Sequence, residues 1–166
     1  IGNSTKPTIA ETVVLEDLTL LGGDVSGFTT TDGASSGGAV FVNTSKSITM
    51  KNCTVAFGKA TSGGGLMTIH PSPRTVILEN CIFKDNIATS NSGACFLAGS
   101  AVNVNNCSFI NNLTNGSTSG LASKSITTNI SDCYFKGNIA NPGFRNGAAL
   151  NYAYDNDKGT MRVNNT

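Results

Sequence analysis

Four cysteines at nearly regular spacing are the residues whose pattern most directly suggests chemistry. Cys53, Cys81, Cys107 and Cys133 follow one another at intervals of 28, 26 and 26 residues. If each occupies one place in a stacked unit, neighbouring Cβ atoms lie about 4.8 Å apart, whereas a disulfide needs about 3.8 Å. An in-line stack also gives no tetrahedral zinc site. We therefore predict a core ladder of buried thiols; disulfides between neighbouring units, which need local distortion, remain the alternative.

The titratable residues are weaker candidates for catalysis or cation binding. The single histidine, His70, lies in a His-Pro-Ser-Pro-Arg segment, where a surface position is a simpler interpretation than a general base. Asp155 and Asp157 lie in an Asp-Asn-Asp-Lys-Gly segment, but its glycine comes one position early for an EF-hand loop and no later glutamate follows. The sequence therefore predicts no catalytic residue, no cofactor and no metal.

Eight Asn-x-Ser/Thr sequences could accept N-linked glycans if a eukaryotic cell secretes the protein. Asn52 and Asn106 recur at one place in the repeat, where we expect their side chains to be committed to a bend. The better candidates for glycosylation are Asn3, Asn43, Asn115 and Asn129.

Composition argues against two classes of partner. Only 13% of the residues are charged and the net charge is +1, which argues against binding to nucleic acid or to an anionic membrane. No run of 18 apolar residues could cross a bilayer as a helix. We predict that residues 1–166 form a single repeat domain that is part of a longer chain.

A second marker has the same period as the cysteines. Glycines recur at intervals of 27 or 28 residues, at Gly38, Gly65, Gly93, Gly120 and Gly147. Two markers with one period indicate one structural unit used repeatedly. Apolar and polar residues alternate before each cysteine, which predicts a strand with one buried face. The core ladder continues two residues after the last three cysteines, at Phe83, Phe109 and Phe135.

Two positions in each unit predict corners. The residue before the cysteine position is always Asn or Asp, which tolerate left-handed backbone and bond to their own main chain: Asp17, Asn52, Asn80, Asn106, Asp132 and Asn165. Five residues after the cysteine position stands only Gly or Asn, the residues most at ease at positive φ: Gly23, Gly58, Asn86, Asn112 and Asn138.

Short strands joined by corners, in a unit of about 27 residues, fit one coil of a parallel β-solenoid. Helical repeats do not fit, because Gly, Asn, Thr and Ser dominate and no unit contains a long amphipathic stretch. We predict an all-β fold of five to six coils, with three sheets around each coil.

Two motifs alternate at this period. Phe-x-x-Asn begins at Phe83, Phe109 and Phe135, and Gly-Gly-Ala occurs at 37–39 with relaxed forms in later units. Over roughly residues 35–150 this pattern resembles the repeats of the chlamydial polymorphic outer membrane proteins and similar regions of other microbial surface proteins. The resemblance implies a right-handed parallel β-helix that is exported and displayed outside the cell. In the chlamydial family such a region is an autotransporter passenger that serves adhesion.

β-Helices also include pectin lyases and polysaccharide hydrolases, which resemble one another in stacking carboxylates on neighbouring coils. Here the column two residues before the cysteine position reads Glu16, Lys51, Glu79, Asn105, Ser131 and Asn164. No two neighbouring coils both present an acid in that column. We therefore expect no enzyme, and a polysaccharide lyase or hydrolase is the third interpretation of this chain.

The first interpretation is a non-catalytic extracellular module, a cell-surface adhesin or stalk segment whose partner is a host or neighbouring cell surface. Loops at 24–37, 70–75 and 153–160 would then carry recognition. The alternative is a subunit of an extracellular filament, glycosylated if its source permits, in which copies stack end to end. Neither the first nor the last unit shows a polar cap, and an uncapped solenoid exposes edges that can pair.

Overall fold

The computed structural model describes residues 10–27, 35–43, 45–69, 75–141, 143, 148–152 and 159–166. The strands, in chain order, are β1 (Ala10–Glu16), β2 (Thr19–Leu21), β3 (Val40–Val42), β4 (Ser45–Lys51), β5 (Thr54–Ala56), β6 (Lys59–Ser62), β7 (Leu66–Thr68), β8 (Thr75–Glu79), β9 (Ile82–Lys84), β10 (Ile87–Asn91), β11 (Cys95–Asn105), β12 (Ser108–Ile110), β13 (Leu113–Thr114), β14 (Leu121–Ser131), β15 (Tyr134–Lys136), β16 (Ile139–Ala140), β17 (Leu150–Tyr152) and β18 (Thr160–Asn164). No helix among these residues is long and apolar enough to cross a membrane.

The strands form three parallel sheets. Sheet 1 stacks β1, β4, β8, β11 and β14 in that order, and β17 and β18 both pair with β14. The remaining strands of this sheet are β7, which pairs with β11, and β3, which pairs with β7. Sheet 2 has the order β15-β12-β9-β5-β2, and sheet 3 the order β16-β13-β10-β6. The predicted parallel β-solenoid with three sheets per coil is therefore confirmed. Since sheet 3 has four strands, about four turns are complete within the described residues, fewer than the predicted five to six, and sheets 1 and 2 extend into partial turns.

Register keeps equivalent residues in line from coil to coil. Ile48 pairs with Val76, Val76 with Val102, and Val102 with Thr128. The first coil is longer, because Val13 pairs with Ile48. Since each coil returns to the same register, a side chain's nearest neighbours are its own equivalents in the adjacent coils.

The core fills the space between the three sheets. In β8 the side chains of Val76 and Leu78 are buried, while those between and beside them are half-buried. This is the two-residue alternation expected of a strand with one face on the core. The largest side chains that are fully buried are Phe83, Phe109, Ile48, Met50, Leu66, Leu78, Leu97, Leu121, Ile130, Val55 and Val76.

Close backbone approach explains the recurring glycines. A Cβ on Gly120 would lie 2.1 Å from the carbonyl oxygen of Ala149 in the next coil, and one on Gly38 would lie 2.3 Å from that of Gly64. Neither glycine has positive φ, so space rather than backbone conformation requires a residue without a side chain. Gly147, the last glycine of the series, lies outside the described residues.

Candidate functional site: side-chain ladders along the coil axis

Exposed amide side chains form a ladder at the bend between sheets 1 and 2, which we call the outer ladder. Asn52 Nδ2 donates to Asp17 Oδ1 (2.9 Å), Asn80 Nδ2 to Asn52 Oδ1 (3.0 Å) and Asn106 Nδ2 to Asn80 Oδ1 (2.9 Å). The backbone is left-handed, with φ between 49° and 55°, at all six positions of this bend: Asp17, Asn52, Asn80, Asn106, Asp132 and Asn165. The bend geometry thus agrees with the residue types that the sequence places there.

The outer ladder stops at Asp132. A carboxylate has no N–H group, so Asp132 cannot donate to Asn106 Oδ1 as an asparagine would. In the described part of the chain, no hydrogen bond joins the Asp132 side chain to Asn106 or to Asn165. Asp17 has the same chemistry but only accepts, which suits the first position of the ladder.

The structure corrects the prediction for the second corner, between sheets 2 and 3. Positive φ was expected at Gly58, Asn86, Asn112 and Asn138, and it is found at Gly23 (92°) but at none of these four. In their coils it lies one residue earlier, at Phe57, Asp85, Asn111 and Gly137. The physical reason is that the asparagine side chains turn inward to bond in the core, and the preceding residue makes the turn.

The inward asparagines form a second, buried ladder, which we call the inner ladder. Asn112 Nδ2 donates to the carbonyl oxygen of Phe83 (3.0 Å) and to Asn138 Oδ1 (2.9 Å). Asn112 Oδ1 accepts from the backbone N–H (3.0 Å) and from Nδ2 (3.0 Å) of Asn86. Asn86 and Asn112 are both fully buried, and these bonds compensate for removing their amides from water. Asn86 Oδ1 extends the pattern by accepting from the Gly58 backbone (2.9 Å).

The column cysteines lie in the core as free thiols. All four are buried, as is Cys95, the first residue of β11 in sheet 1. Each column thiol donates to the carbonyl oxygen two residues earlier, at 3.1 Å for Cys53, 3.2 Å for Cys81, 3.3 Å for Cys107 and 3.2 Å for Cys133. These bonds fix the sulfur atoms against the bend that each cysteine follows.

The thiols differ in acidity according to their neighbours. Burial raises the pKa of Cys95 well above the usual thiol value and also raises that of Cys53. Hydrogen bonding with Cys133 and Cys81 raises the pKa of Cys107, and the same contacts with Cys107 lower the pKa of Cys81 and Cys133 to about 7. A reactive cysteine must be ionised to the thiolate and must also be accessible to its reaction partner. Since all five cysteines are buried, a structural role is favoured for each of them.

Three phenylalanine rings stack beside the cysteine column. The ring centroids of Phe83 and Phe109 lie 5.4 Å apart with an interplanar angle of 7°, and those of Phe109 and Phe135 lie 4.8 Å apart at 9°. The register of sheet 2 places these residues directly opposite one another. The stack therefore ties three coils together with aromatic contacts inside the core.

A buried hydroxyl cluster in β14 was missed from the sequence. Ser123, Ser125 and Thr128 lie in the core, with Oγ of Ser123 and Ser125 at 2.7 Å and 2.6 Å from Thr128 Oγ1 and at 3.0 Å from each other. Their coil thus presents Ser123 where the preceding coil has Leu97, and Thr128 where it has Val102. The sequence does show polar residues at the inward positions of β14, and these could have revealed the cluster.

Two carboxylates of the described coils each pair with one lysine. Lys51 Nζ lies 3.3 Å from Glu79 Oε2, and Lys59 Nζ lies 3.2 Å from Asp24 Oδ2. Hydrogen bonds from Ser26, and then from Lys59, lower the pKa of Asp24 to about 2. Within the described ranges, no three His, Cys, Asp or Glu side chains are grouped so that they could hold a metal ion.

Several predicted positions lie outside the described residues. They are Asn3, His70, Asp155 and Asp157, together with most of the segments expected to be loops. The other glycosylation candidates, Asn43, Asn115 and Asn129, are exposed.

An apolar stripe runs along the outer face of sheet 3. Ile87, Leu113 and Ile139 occupy one outward column in consecutive coils and are 38%, 38% and 61% exposed. Phe57, at the adjacent corner, is 57% exposed. We call Ile87, Leu113 and Ile139 the sheet 3 stripe.

A family model described as "right handed beta helix region" matches residues 20–166. No curated protein and no solved structure matches the chain. The match gives the handedness of the coil and covers all three Phe-x-x-Asn motifs, without distinguishing one group of β-helical proteins from another.

Proposed function

Because the chain belongs to the right-handed β-helix family, we propose that it is a non-catalytic structural module of an extracellular protein, in which it forms a stalk or adhesive segment. One observation carries this proposal: the inner ladder, the outer ladder and the phenylalanine stack all join equivalent residues of successive coils. Such contacts stiffen the solenoid along its axis, which suits a spacer that holds a surface away from a cell.

Stiffness follows from the direction of the bonds. In a parallel solenoid the backbone hydrogen bonds of all three sheets run between coils, so bending the axis stretches the bonds of at least one sheet. The inner ladder adds side-chain bonds with the same direction in a place that water does not reach. A buried, fully bonded ladder also fixes the register of neighbouring coils.

An adhesive role needs an outward surface that a partner can contact. The sheet 3 stripe supplies exposed aliphatic side chains on three consecutive coils. Low charge, at 13% of residues, favours contact through apolar and polar groups over electrostatic attraction. The segment 70–75 remains the second predicted recognition element.

The test of adhesion is retention of protein-coated beads on intact cells. Two variants are compared with the unchanged chain: one with Ile87, Leu113 and Ile139 all replaced by serine, and one with residues 70–75 replaced by a Gly/Ser segment of equal length. Ile126→Ser is the matched control, because Ile126 is 43% exposed on a different sheet. We expect at least a fivefold loss of retention in one of the two variants and none in the control. Unchanged retention in both variants would exclude adhesion through these surfaces.

A filament subunit is the second candidate, and the edges of the solenoid favour it. Within the described residues β1 pairs only with β4, and β18 only with β14. Val14 on β1 and Val163 on β18 are 54% and 44% exposed. Sedimentation velocity at increasing protein concentration tests this role. We expect the chain to grow into long assemblies and Val14→Lys to abolish that growth. A chain that stays monomeric at high concentration contradicts the filament role.

A further inference from the structure

We propose that Asn115, Asn43 and Asn164 are acceptors for N-linked glycans, and that the fold withholds Asn52, Asn106, Asn112 and Asn129 from this modification. The inference extends the proposed function, since it requires export past a glycosyltransferase. Seven of the eight Asn-x-Ser/Thr sequences have a described asparagine, and they differ sharply in what the side-chain nitrogen does. That nitrogen, Nδ2, is the atom that a glycan would occupy.

Four of these seven asparagines use Nδ2 as a donor within the fold. Asn112 is fully buried, and its Nδ2 makes two bonds in the inner ladder. Asn52 and Asn106 donate from Nδ2 along the outer ladder. Asn129, which the sequence suggested as a candidate, donates from Nδ2 to Asn103 Oδ1 at 2.9 Å. A glycosylated Nδ2 keeps only one N–H, so a glycan on Asn112 would break a bond of the inner ladder. At Asn52, Asn106 and Asn129 the glycan would compete for space with the neighbouring coil to which Nδ2 donates.

Asn115 has the opposite environment. It follows β13 directly, its backbone N–H donates to the Ala88 carbonyl at 3.2 Å, and its exposed side chain makes no hydrogen bond with the rest of the described chain. The next residue, Gly116, donates its N–H to Thr114 Oγ1 at 3.0 Å, and a Cβ there would overlap the Ser90 carbonyl. The backbone of the sequon is thus held firmly while the acceptor amide points to solvent.

Asn43 is the second acceptor. It comes directly after β3, is exposed, and its side chain likewise makes no hydrogen bond to any other described residue. Asn164, the last residue of β18, is the third acceptor, since it is also exposed and its side chain makes no hydrogen bond to any other described residue. Asn3, the eighth sequon, lies outside the described residues.

The modification is a glycosyl transfer from a sugar activated as a diphosphate, supplied on a lipid or on a nucleotide. The Nδ2–C1 bond forms, Nδ2 loses a proton, and the C1–O bond to the diphosphate breaks. The diphosphate leaves with the bonding electron pair, so the transfer needs no oxidant or reductant.

The first arm of the test uses secretion from a eukaryotic host. The secreted chain is treated with a glycan-releasing amidase in heavy-oxygen water, which converts each occupied asparagine to labelled aspartate for peptide mass spectrometry. We expect label at Asn115, Asn43 and Asn164 and none at Asn52, Asn106, Asn112 or Asn129. Ser117→Ala and Ser45→Ala should each remove one glycan mass, whereas Ser108→Ala, which deletes the Asn106 sequon, should remove none.

The second arm uses unglycosylated protein from a bacterial host, a soluble N-glycosyltransferase and a nucleotide-diphosphate sugar. Asn115 should react in the folded chain, and Asn112 only after unfolding. An empty Asn115 in this arm, or in protein that the first host does secrete, overturns the proposal, as does a glycan on Asn112 of folded protein. Retention of the chain inside the first host contradicts the proposed extracellular role, and the second arm then decides the acceptor assignment alone.

Discussion

Asparagine makes two ladders in this chain, and the surroundings decide how much each bond stabilises the fold. In the outer ladder the side chains are exposed, and water competes for every donor and acceptor. In the inner ladder Asn86 and Asn112 are fully buried, so each amide that loses its partner remains without one. A hydrogen bond adds only about 1 kcal/mol on balance, but a buried polar group left unpaired costs about 1–3 kcal/mol.

Asn112→Ala should therefore lower the free energy of unfolding by at least about 3 kcal/mol, because it strands polar atoms of Asn86, Phe83 and Asn138 in the core. Asn115→Ala is the matched control, because Asn115 is an exposed asparagine three residues later in the chain. It should change the free energy of unfolding by less than about 0.5 kcal/mol. Urea denaturation followed by circular dichroism measures both. Similar losses in the two variants would contradict the role given to the inner ladder.

Asp132→Asn should raise the free energy of unfolding by about 0.5–1 kcal/mol. Asparagine tolerates the left-handed backbone found at Asp132, and it adds an N–H that can donate to Asn106 Oδ1 and continue the outer ladder. Asp85→Asn is the control, since it makes the same chemical change at a left-handed position outside both ladders. A gain in the control equal to that of Asp132→Asn would attribute the effect to charge instead of to the ladder.

At the scale of a single element, β14 departs most clearly from its neighbours. Its inward positions carry Ser123, Ser125 and Thr128, whose hydroxyls bond to one another in the core. Tyr152 of β17 reaches the same strand and donates to the Ser125 carbonyl at 2.9 Å. The strand thus replaces apolar packing with a local polar network that is satisfied only as a group.

Thr128→Val alone should cost about 1–2 kcal/mol, because it leaves the Ser123 and Ser125 hydroxyls short of a partner. The triple variant Ser123→Ala, Ser125→Ala and Thr128→Val removes all three hydroxyls together. Its loss of stability should be smaller than the sum of the three single losses, since no unpaired hydroxyl of the cluster remains. Strict additivity in thermal or urea unfolding would show that the cluster does not act as a unit.

At the scale of the whole molecule, each coil is stabilised mainly by the coils on either side of it. The inner ladder and the phenylalanine stack centre on the coils of β8, β11 and β14. By contrast, Val14 and Leu21 in the first coil and Val163 in the last described strand are 54%, 63% and 44% exposed. Stability should therefore decrease from the middle coils outward.

Hydrogen exchange should show this gradient directly. Amides of β9, β12 and the central part of β11 should exchange slowest, and those of β1, β2 and β18 fastest. The measurement is exchange followed by peptide mass spectrometry under native conditions, with the short strands of sheet 3 as an internal comparison. Uniform protection along the chain would mean that the coils unfold as one cooperative body.

The sequence by itself determined the period, the strand faces and the bend before each cysteine. It could do so because stacked coils give equivalent residues equivalent surroundings, so a pattern repeated along the chain reports a shared environment. The Asn or Asp of that bend is a local preference, since a left-handed backbone favours these residues over most others. The parallel solenoid then followed from spacing and alternation, whereas the choice of three sheets per coil over two was decided by the structure.

Only the tertiary structure decided which polar groups are buried. Asn111 and Asn112 are adjacent and chemically identical, yet the first makes the turn and the second enters the core. Likewise Asn129 and Asn115 both head a sequon, but Asn129 Nδ2 is bonded to Asn103, 26 residues away. The physical reason is that these outcomes depend on the rotation of the backbone at each corner and on partners one coil away, which no short stretch of sequence contains.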